Sequence, residues 1–302
     1  MENQPFVFIK PHAFDNRKTM DFIDSHFEGH KISWLKRGVI TGAQIRAGNL
    51  VDRHYSVNAR VGTVRDPSTL DIGEGGRAKF HECFGEDWDA VIAKNRMVSG
   101  LVLQEQLDGS AEKADAAWSA SSKRTKVAGG HYVARSEALN LYILNGFYPV
   151  VREGYMADEA SIAYGIITFS SDDLNWKAFR HEVIGVTNPA QADKNSVRGY
   201  LFEHAEEFGL TVNNGDNVIH ASASPFEALI EKNLWLAAYD PAGDPLYALL
   251  NAAGIGMADL LREYAANSVV TLNSGETGTL LDVLEDKNTD QVADILIQRC
   301  RK

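Results

Sequence analysis

Apolar residues in the first part of the chain form short runs and helical repeats that predict alternating strands and helices. Phe6 to Ile9 is an apolar run that ends before Pro11, which predicts a short buried strand. Residues 17–28 carry Met, Ile and Phe at helical spacing and predict a helix. Residues 31–40 alternate well enough for a second strand, and residues 42–55 are predicted to be helical.

The middle of the chain changes in character. Residues 61–133 are rich in Gly, Asp, Ser and Lys, with helical patches between, and are interpreted as an inserted subdomain or a long lid. Within them, the Gly-rich segment 73–77 and the basic segment 123–126 are interpreted as loops rather than anion sites. Residues 134–146 are predicted to form a helix that its terminal glycine caps.

The last part of the chain returns to strands and helices. Residues 162–169 predict a strand, and residues 217–220 predict a short one. A helix is expected to begin at 224–227, where a capping serine precedes a proline and a glutamate follows three positions later. Two amphipathic helices are predicted near 244–266 and 280–299.

This order of elements predicts an α+β fold, with helices packed on one antiparallel sheet. The core is expected in two parts, 1–60 and 156–243. An insertion or lid subdomain at 61–155 would divide them, and a C-terminal helical extension at 244–302 would follow.

Composition narrows the classes of ligand and compartment. The net charge of −11 argues against nucleic acid as the main ligand. The two cysteines, Cys83 and Cys300, cannot build a disulfide framework, so a reducing cytoplasm is expected. No stretch approaches the roughly 20 apolar residues of a membrane span, so no membrane partner is expected. No metal site is predicted, because His81-Glu82-Cys83 lacks partner ligands at metal spacing.

The chemistry is expected to centre on His220, which lies at a predicted strand end before a helix. Glu231 lies in that helix, four residues after Glu227 and near the same face. A carboxylate that accepts a hydrogen bond from one imidazole nitrogen fixes the tautomer and leaves the lone pair on the other nitrogen. A lone histidine at a strand end is more often a satisfied polar residue, so its neighbours in the sequence decide the interpretation.

Four motifs accompany His220 in a fixed order. They are Ile9-Lys10-Pro11, Gly185-Val186-Thr187-Asn188-Pro189, Ser196-Val197-Arg198-Gly199 and Asn217-Val218-Ile219-His220-Ala221-Ser222. In this order and spacing they resemble the nucleoside diphosphate kinase family, over 1–56 and 160–240. The resemblance implies a ferredoxin-like βαββαβ antiparallel sandwich, here with an inserted subdomain and C-terminal helices.

The resemblance also implies a phosphohistidine mechanism. ATP would phosphorylate His220, ADP would leave, and the phosphoryl group would pass to an acceptor. Lys10 and Arg198 would hold the transferring group, and Thr187 would donate a hydrogen bond to phosphate. Mg²⁺ would bridge the donor phosphates, held largely by the nucleotide and water.

Further roles follow from the same resemblance. Asn217 would contact the ribose, and Tyr55 would pack beside the histidine. Glu231 would orient His220, and Ser222 would support that pair. Because the family assembles from dimers, a homodimer is expected.

Several positions depart from the family pattern. The second phosphate-facing arginine is expected where His181 stands, and a one-residue bulge could bring Arg180 into its place. Ala223 replaces an aspartate that follows the histidine, and His12 replaces the aspartate after Lys-Pro. The loop within 200–216 is longer than in the family.

The long insertion after Tyr55 replaces the family's base-covering hairpin, so the acceptor is the most open part of the interpretation. A nucleoside diphosphate is the first expectation. Another small molecule or a protein is the alternative acceptor. A weakly active nucleotide-binding or interaction module is a third alternative, because the aspartate is absent and the second arginine is displaced.

Overall fold

The computed structural model describes residues 1–300 and has a mixed α and β architecture. The chain divides into two compact units. The core unit comprises Met1–Thr41 and the chain from Ser161 onward, and the inserted unit comprises Gly42–Ala160. Within the described residues, no helix combines the length and apolar character needed to cross a membrane.

The elements are numbered in chain order. The strands are β1 Glu2–Asn3, β2 Phe6–Ile9, β3 Ser33–Thr41, β4 Met97–Ser99, β5 Lys123–Ala128, β6 His131–Ser136, β7 Leu141–Leu144, β8 Ser161–Ser170, β9 Ile219–Ala221, β10 Val269–Thr271 and β11 Thr277–Thr279. The α-helices are α1 Arg17–Gly29, α2 Gly42–Gly48, α3 Leu50–His54, α4 Ser56–Thr63, α5 Gly73–Phe84, α6 Trp88–Ala93, α7 Gly100–Gln106, α8 Ala111–Ser119, α9 Tyr148–Met156, α10 Trp176–Ala178, α11 Val197–Glu203, α12 Ala205–Phe208, α13 Pro225–Trp235, α14 Pro245–Ala252, α15 Met257–Ala266, α16 Leu280–Leu284 and α17 Thr289–Cys300. A π-helix, Phe179–Ile184, continues directly from α10.

The core sheet is antiparallel throughout, with the order β3-β8-β2-β9. The short β1 also pairs with β8, next to β2. Phe8 is the register point for the site, because it pairs with Tyr164 on one side and His220 on the other. The apolar run of β2 is wholly buried, as its pattern predicts.

One face of the core sheet is covered by α1 and by the helical segment that begins at Trp176. Ile23 and Phe27 are the buried positions that α1 contributes, while Trp176 and Phe179 come from the other segment. Burial of these side chains supplies the main stabilisation of the unit, at roughly 1.5–3 kcal/mol for each large apolar side chain. The histidine strand β9 is therefore attached to a rigid layer.

The C-terminal extension packs on α13 through its own apolar cluster, which includes Phe226, Leu250 and Leu260. The prediction of two long helices is wrong, because the extension contains four helices and the β10–β11 hairpin. Backbone positions with positive φ interrupt the helical pattern. Gly254 ends the turn after α14 at φ +83°, and Asn267 caps α15 at φ +36°.

The inserted unit has a separate sheet with the order β4-β7-β6-β5, in which only β4 and β7 are parallel. Phe80, Trp88 and Tyr142 lie in its apolar core. The predicted insertion, 61–155, lies inside this unit, which itself begins at Gly42.

The prediction of a helix over 134–146 is wrong, because this stretch contains the end of β6 and all of β7. Asn140 and Asn145 adopt positive φ and bound the short apolar run of β7, which a sequence pattern cannot distinguish from a buried helix. Gly146 caps no helix; a Cβ there would meet Trp118. The loop interpretations are also wrong, since 73–77 begins α5 and 123–126 lies in β5.

Candidate functional site

His220 is held on strand β9 by a ring contact and a hydrogen bond. Its imidazole stacks on the Phe8 ring with centroids 4.6 Å apart and an interplanar angle of 20°. Its Nε2 lies 3.0 Å from Glu231 Oε1. The side chain is 17% exposed, while that of Glu231 is 7% exposed. A nearly buried carboxylate therefore fixes one ring nitrogen of a histidine that solutes can still reach.

Ser222 extends this pair into a series of three side chains. Its hydroxyl lies 2.5 Å from the second oxygen of Glu231, and it accepts a hydrogen bond from the Phe6 N–H at 3.1 Å. Both oxygens of Glu231 are thus used, one toward His220 and one toward Ser222. A charge-assisted hydrogen bond of this kind is short and holds the carboxylate in one orientation.

Glu231 reaches His220 because α13 begins where its sequence predicts. The Ser224 hydroxyl accepts a hydrogen bond from the Glu227 N–H at 3.1 Å, and Pro225 occupies the first turn. This capping and proline arrangement fixes the start of the helix. The predicted helix start at 224–227 is confirmed.

The backbone before His220 is strained. Val218 has φ +68°, and the Ile219 N–H donates to the Asn217 carbonyl at 2.8 Å, which closes a three-residue turn. A β-branched residue in this region costs about 1–3 kcal/mol and persists only where its surroundings hold it. The backbone of β2 helps to hold Val218 in this conformation, because the Lys10 N–H that follows β2 donates to the Val218 carbonyl at 2.8 Å.

Two cations lie beside this turn. The guanidinium of Arg198 donates to the Gly185 carbonyl at 2.8 Å and to the Ile219 carbonyl at 2.7 Å. Lys10 Nζ donates to the Gly215 carbonyl at 2.7 Å. Burial, and then the charge of Arg198, lower the pKa of Lys10 to about 8, although Asp216 opposes the change. An anion placed here would relieve this repulsion.

Asn217 carries an unsatisfied polar atom next to these cations. Its Nδ2 donates to the Thr187 carbonyl at 2.8 Å, and the residue is only 2% exposed. Its Oδ1 is buried and finds no hydrogen-bond partner among residues 1–300. An unpaired buried oxygen costs about 1–3 kcal/mol, so a donor from a ligand would be stabilising here. The Thr187 side chain is exposed, and its carbonyl links two of the predicted motifs.

The turn that carries Thr187 requires glycine at its start. Gly185 has φ +92°, and a Cβ there would lie 2.4 Å from Ser196 Oγ. Ser196 in turn caps α11, the helix that carries Arg198. The structure therefore brings together six predicted residues through named contacts: Lys10, Arg198, Asn217, His220, Ser222 and Glu231, with Thr187 attached by its backbone.

Two other predicted residues belong to different elements. Tyr55 is in the inserted unit, at the end of α3, where its ring lies edge-on to His54 and Tyr155. Its predicted place beside His220 stays a prediction. Arg180 lies in the π-helix and forms ion pairs with Glu285 and Asp286, each at 2.6 Å.

Three nearby side chains were not predicted. Glu227 lies one turn before Glu231, and burial together with the Glu231 charge raises its pKa to about 8. Asp216 Oδ1 lies 3.5 Å from His12 Nδ1, beside Lys10. Phe8 stacks on the imidazole. The four-residue spacing between Glu227 and Glu231 was a visible signal, whereas Asp216 lies in a loop that no pattern places.

No protein-family model and no curated protein matches this chain. Among solved structures, the apo nucleoside diphosphate kinase from Encephalitozoon cuniculi is 16% identical with a TM-score of 0.38, over 78% of this chain and 90% of that one. The Aquifex aeolicus nucleoside diphosphate kinase is 12% identical with a TM-score of 0.39, over 79% and 97%. A Borrelia burgdorferi enzyme of the same kind with vanadate and ADP is 13% identical with a TM-score of 0.36, over 79% and 92%.

Proposed function

We propose that this protein is a phosphotransferase in which His220 accepts the γ-phosphoryl group of Mg·ATP and passes it to a nucleoside diphosphate. The hydrogen-bonded series Ser222–Glu231–His220 is the observation that carries this proposal. A partly exposed imidazole held by a nearly buried carboxylate is the arrangement that activates a nitrogen nucleophile.

The first step would take place at Nδ1 of His220. Because Nε2 faces Glu231, the proton lies on Nε2 and the lone pair lies on Nδ1. A bond would form between Nδ1 and the γ-phosphorus as the bond from that phosphorus to the β,γ-bridging oxygen breaks, and ADP would leave with those electrons. Glu231 would stabilise the positive charge that the ring gains.

The second step would reverse the first with a different nucleotide. A terminal oxygen of the acceptor diphosphate would attack the phosphorus, and the electrons of the N–P bond would return to Nδ1. Phosphoryl transfer needs positioning and charge neutralisation more than covalent help from the protein. The paired charges of Lys10 and Arg198 support that role, since an anion between them would relieve their repulsion.

The remaining contacts to the nucleotide are proposals of the same kind. The unpaired Oδ1 of Asn217 would accept a hydrogen bond from a ribose hydroxyl. The exposed Thr187 side chain would donate to a phosphate oxygen, Arg180 would supply a further charge, and Tyr55 would pack beside the imidazole. Mg²⁺ would enter with the nucleotide as part of the substrate.

The strand order supports a ferredoxin-like core as part of this proposal. The four strands of a βαββαβ unit correspond here, in chain order, to β2, β3, β8 and β9. Their order across the sheet is β3-β8-β2-β9, which places the second, third, first and fourth strands of the unit side by side. The segments α1 and 176–184 are the two connecting helices. Two further proposals accompany it, a homodimer and the division into core, insertion and C-terminal extension.

A different acceptor is the second candidate function. The resemblance implies a short hairpin that covers the base. In this chain the inserted unit, which has a sheet and an apolar core of its own, contains that position. This substitution favours an acceptor other than a nucleoside diphosphate, either another metabolite or a protein.

The test is incubation of the pure protein with ATP that is labelled in the γ-phosphate, followed by acid and alkali treatment. We expect acid-labile, alkali-stable label on the wild type and none on His220→Asn. His204→Asn is the matched control, because His204 lies on the surface beside Glu207 and should not affect labelling. Label on His220→Asn, or none on the wild type, contradicts the proposal. Discharge of the label to GDP or UDP, rather than only to other acceptors, separates the two functions.

A further inference from the structure

The C-terminal extension reaches the core through a short turn, residues 285–289. The Asp286 N–H donates to the Ala223 carbonyl at 3.2 Å, three residues after His220. Asn288 Oδ1 accepts from the Trp176 N–H at 2.7 Å. The Thr289 N–H donates to Asn3 Oδ1 at 3.0 Å. This turn, here called the docking turn, is thus attached to the core sheet, to α10 and to the start of α13.

The docking turn places two carboxylates on Arg180. Nη1 of Arg180 lies 2.6 Å from both Glu285 Oε1 and Asp286 Oδ1. The second oxygen of Asp286 lies 2.9 Å from His181 Nε2. Arg180 is only 21% exposed, and its Nε and Nη2 make no hydrogen bond to other described residues. One nitrogen of the guanidinium is therefore anchored, while its remaining N–H donors are available to a ligand.

The backbone of the π-helix contributes to the same arrangement. A π-helical turn holds one more residue than an α-helical turn, so Phe179–Ile184 places Arg180 and His181 on a widened turn. Asp286 contacts both of these side chains at once. Arg180 also lies within electrostatic range of Glu227, which neighbours Glu231 in α13. Arg180 thus lies near the part of α13 that carries Glu227 and Glu231.

We propose that Asp286 is a positioning residue that orients Arg180 toward the phosphate groups of the nucleotide bound at His220. This inference rests on the proposed phosphotransfer. It gives the C-terminal extension a part in the reaction. Asp286 of the extension would bind one nitrogen of Arg180, and the other nitrogens of Arg180 would bind the substrate. A guanidinium whose N–H donors are already held in place loses less side-chain entropy on binding phosphate than a mobile guanidinium does.

The test is a double-mutant cycle of Asp286→Asn and Arg180→Met, read as the rate of phosphorylation by labelled ATP over a range of ATP concentrations. Asparagine tolerates the left-handed backbone of position 286 at φ +64°, so the charge is removed without new strain. Each single variant should be slower by roughly tenfold, and the double variant should be no slower than Arg180→Met alone. Asp290→Asn, an exposed carboxylate in the first turn of α17, is the control and should match the wild type.

The outcomes separate this inference from the function on which it rests. If the wild type is labelled and Asp286→Asn is labelled at the same rate, only the role of Asp286 is overturned. The same holds if the rate losses of Asp286→Asn and Arg180→Met multiply in the double variant. A wild type that gains no label overturns the proposed function and this role together.

A second measurement needs no variant and no reaction. In protein with ¹⁵N-labelled arginine, an anchored Arg180 should show separate, slowly exchanging Nη signals. A single averaged Nη signal in the wild type overturns the inference even if Asp286→Asn fails to fold.

Discussion

Replacing Glu231 by glutamine removes one charge from the His220 site with little change in volume. Both carboxylate oxygens are engaged, at 3.0 Å to His220 Nε2 and 2.5 Å to the Ser222 hydroxyl. The glutamine amide can still accept from one of these partners. It loses the attraction to the positive ring that forms as phosphorus bonds to Nδ1. Hydrogen bonds to charged groups are worth about 1.5–3 kcal/mol, so phosphorylation should slow by roughly 10- to 150-fold.

The assay for Glu231→Gln is rapid-quench labelling by γ-labelled ATP at pH 7, with the ATP concentration varied. Because the lost interaction strengthens only as charge develops, kcat should fall while KM stays near its wild-type value. Glu28→Gln, an exposed carboxylate on α1, serves as the matched control. Phosphorylation of Glu231→Gln within twofold of the wild type, or a loss confined to KM, would refute the assigned role of Glu231.

Three further predictions test other parts of the structure. The folded-state pKa of Glu227 is about 8, above its ordinary value, so its neutral carboxyl favours the folded state at low pH and this contribution is lost as pH rises through about 8. Urea titrations should therefore show the wild type losing more unfolding free energy than Glu227→Gln between pH 5 and 9, and parallel curves contradict this. Lys232 and Asp244 form a wholly buried ion pair, so Lys232→Met should lower the unfolding free energy by about 3–5 kcal/mol in urea titrations, with partial recovery in the double variant with Asp244→Asn, which keeps the oxygen that caps α14. No recovery would show that the pair is not the cause. Burial and the charge of Arg198 lower the pKa of Lys10 to about 8, so the calorimetric affinity for a non-hydrolysable ATP analogue should fall as pH rises from 7 to 9 because the ammonium loses its charge, and Lys10→Met should bind weakly without that fall. The same pH dependence in Lys10→Met would exclude Lys10 as its source.

The parts of the fold with clear local signals were predictable from the sequence. The buried run of β2 and the Ser224 cap of α13 depend on neighbouring residues, and both lie where their patterns place them. The Glu231–His220 contact was also expected, although on the basis of family spacing. The prediction of a helix over 134–146 was wrong because a short apolar run between two asparagines fits a strand as well as a helix.

The charges that surround the site could not be predicted from local pattern. Asp286 reaches Arg180 across more than a hundred residues of sequence, through a turn with positive φ that the docking of the C-terminal extension stabilises. Asp216 approaches Lys10 from a loop held by Asn213, with no periodic signal. Such contacts depend on tertiary packing.

The proposed function requires that Nδ1 of His220 carries the phosphoryl group, which can be checked by locating the phosphate on the protein. The wild type, treated briefly with Mg·ATP, should be examined by ³¹P-coupled NMR of the imidazole and by mass spectrometry of the peptide that contains His220. Because Nε2 of His220 faces Glu231, we expect phosphorus bonded to Nδ1 of His220. Phosphorus on Nε2, on another residue, or on none would contradict it.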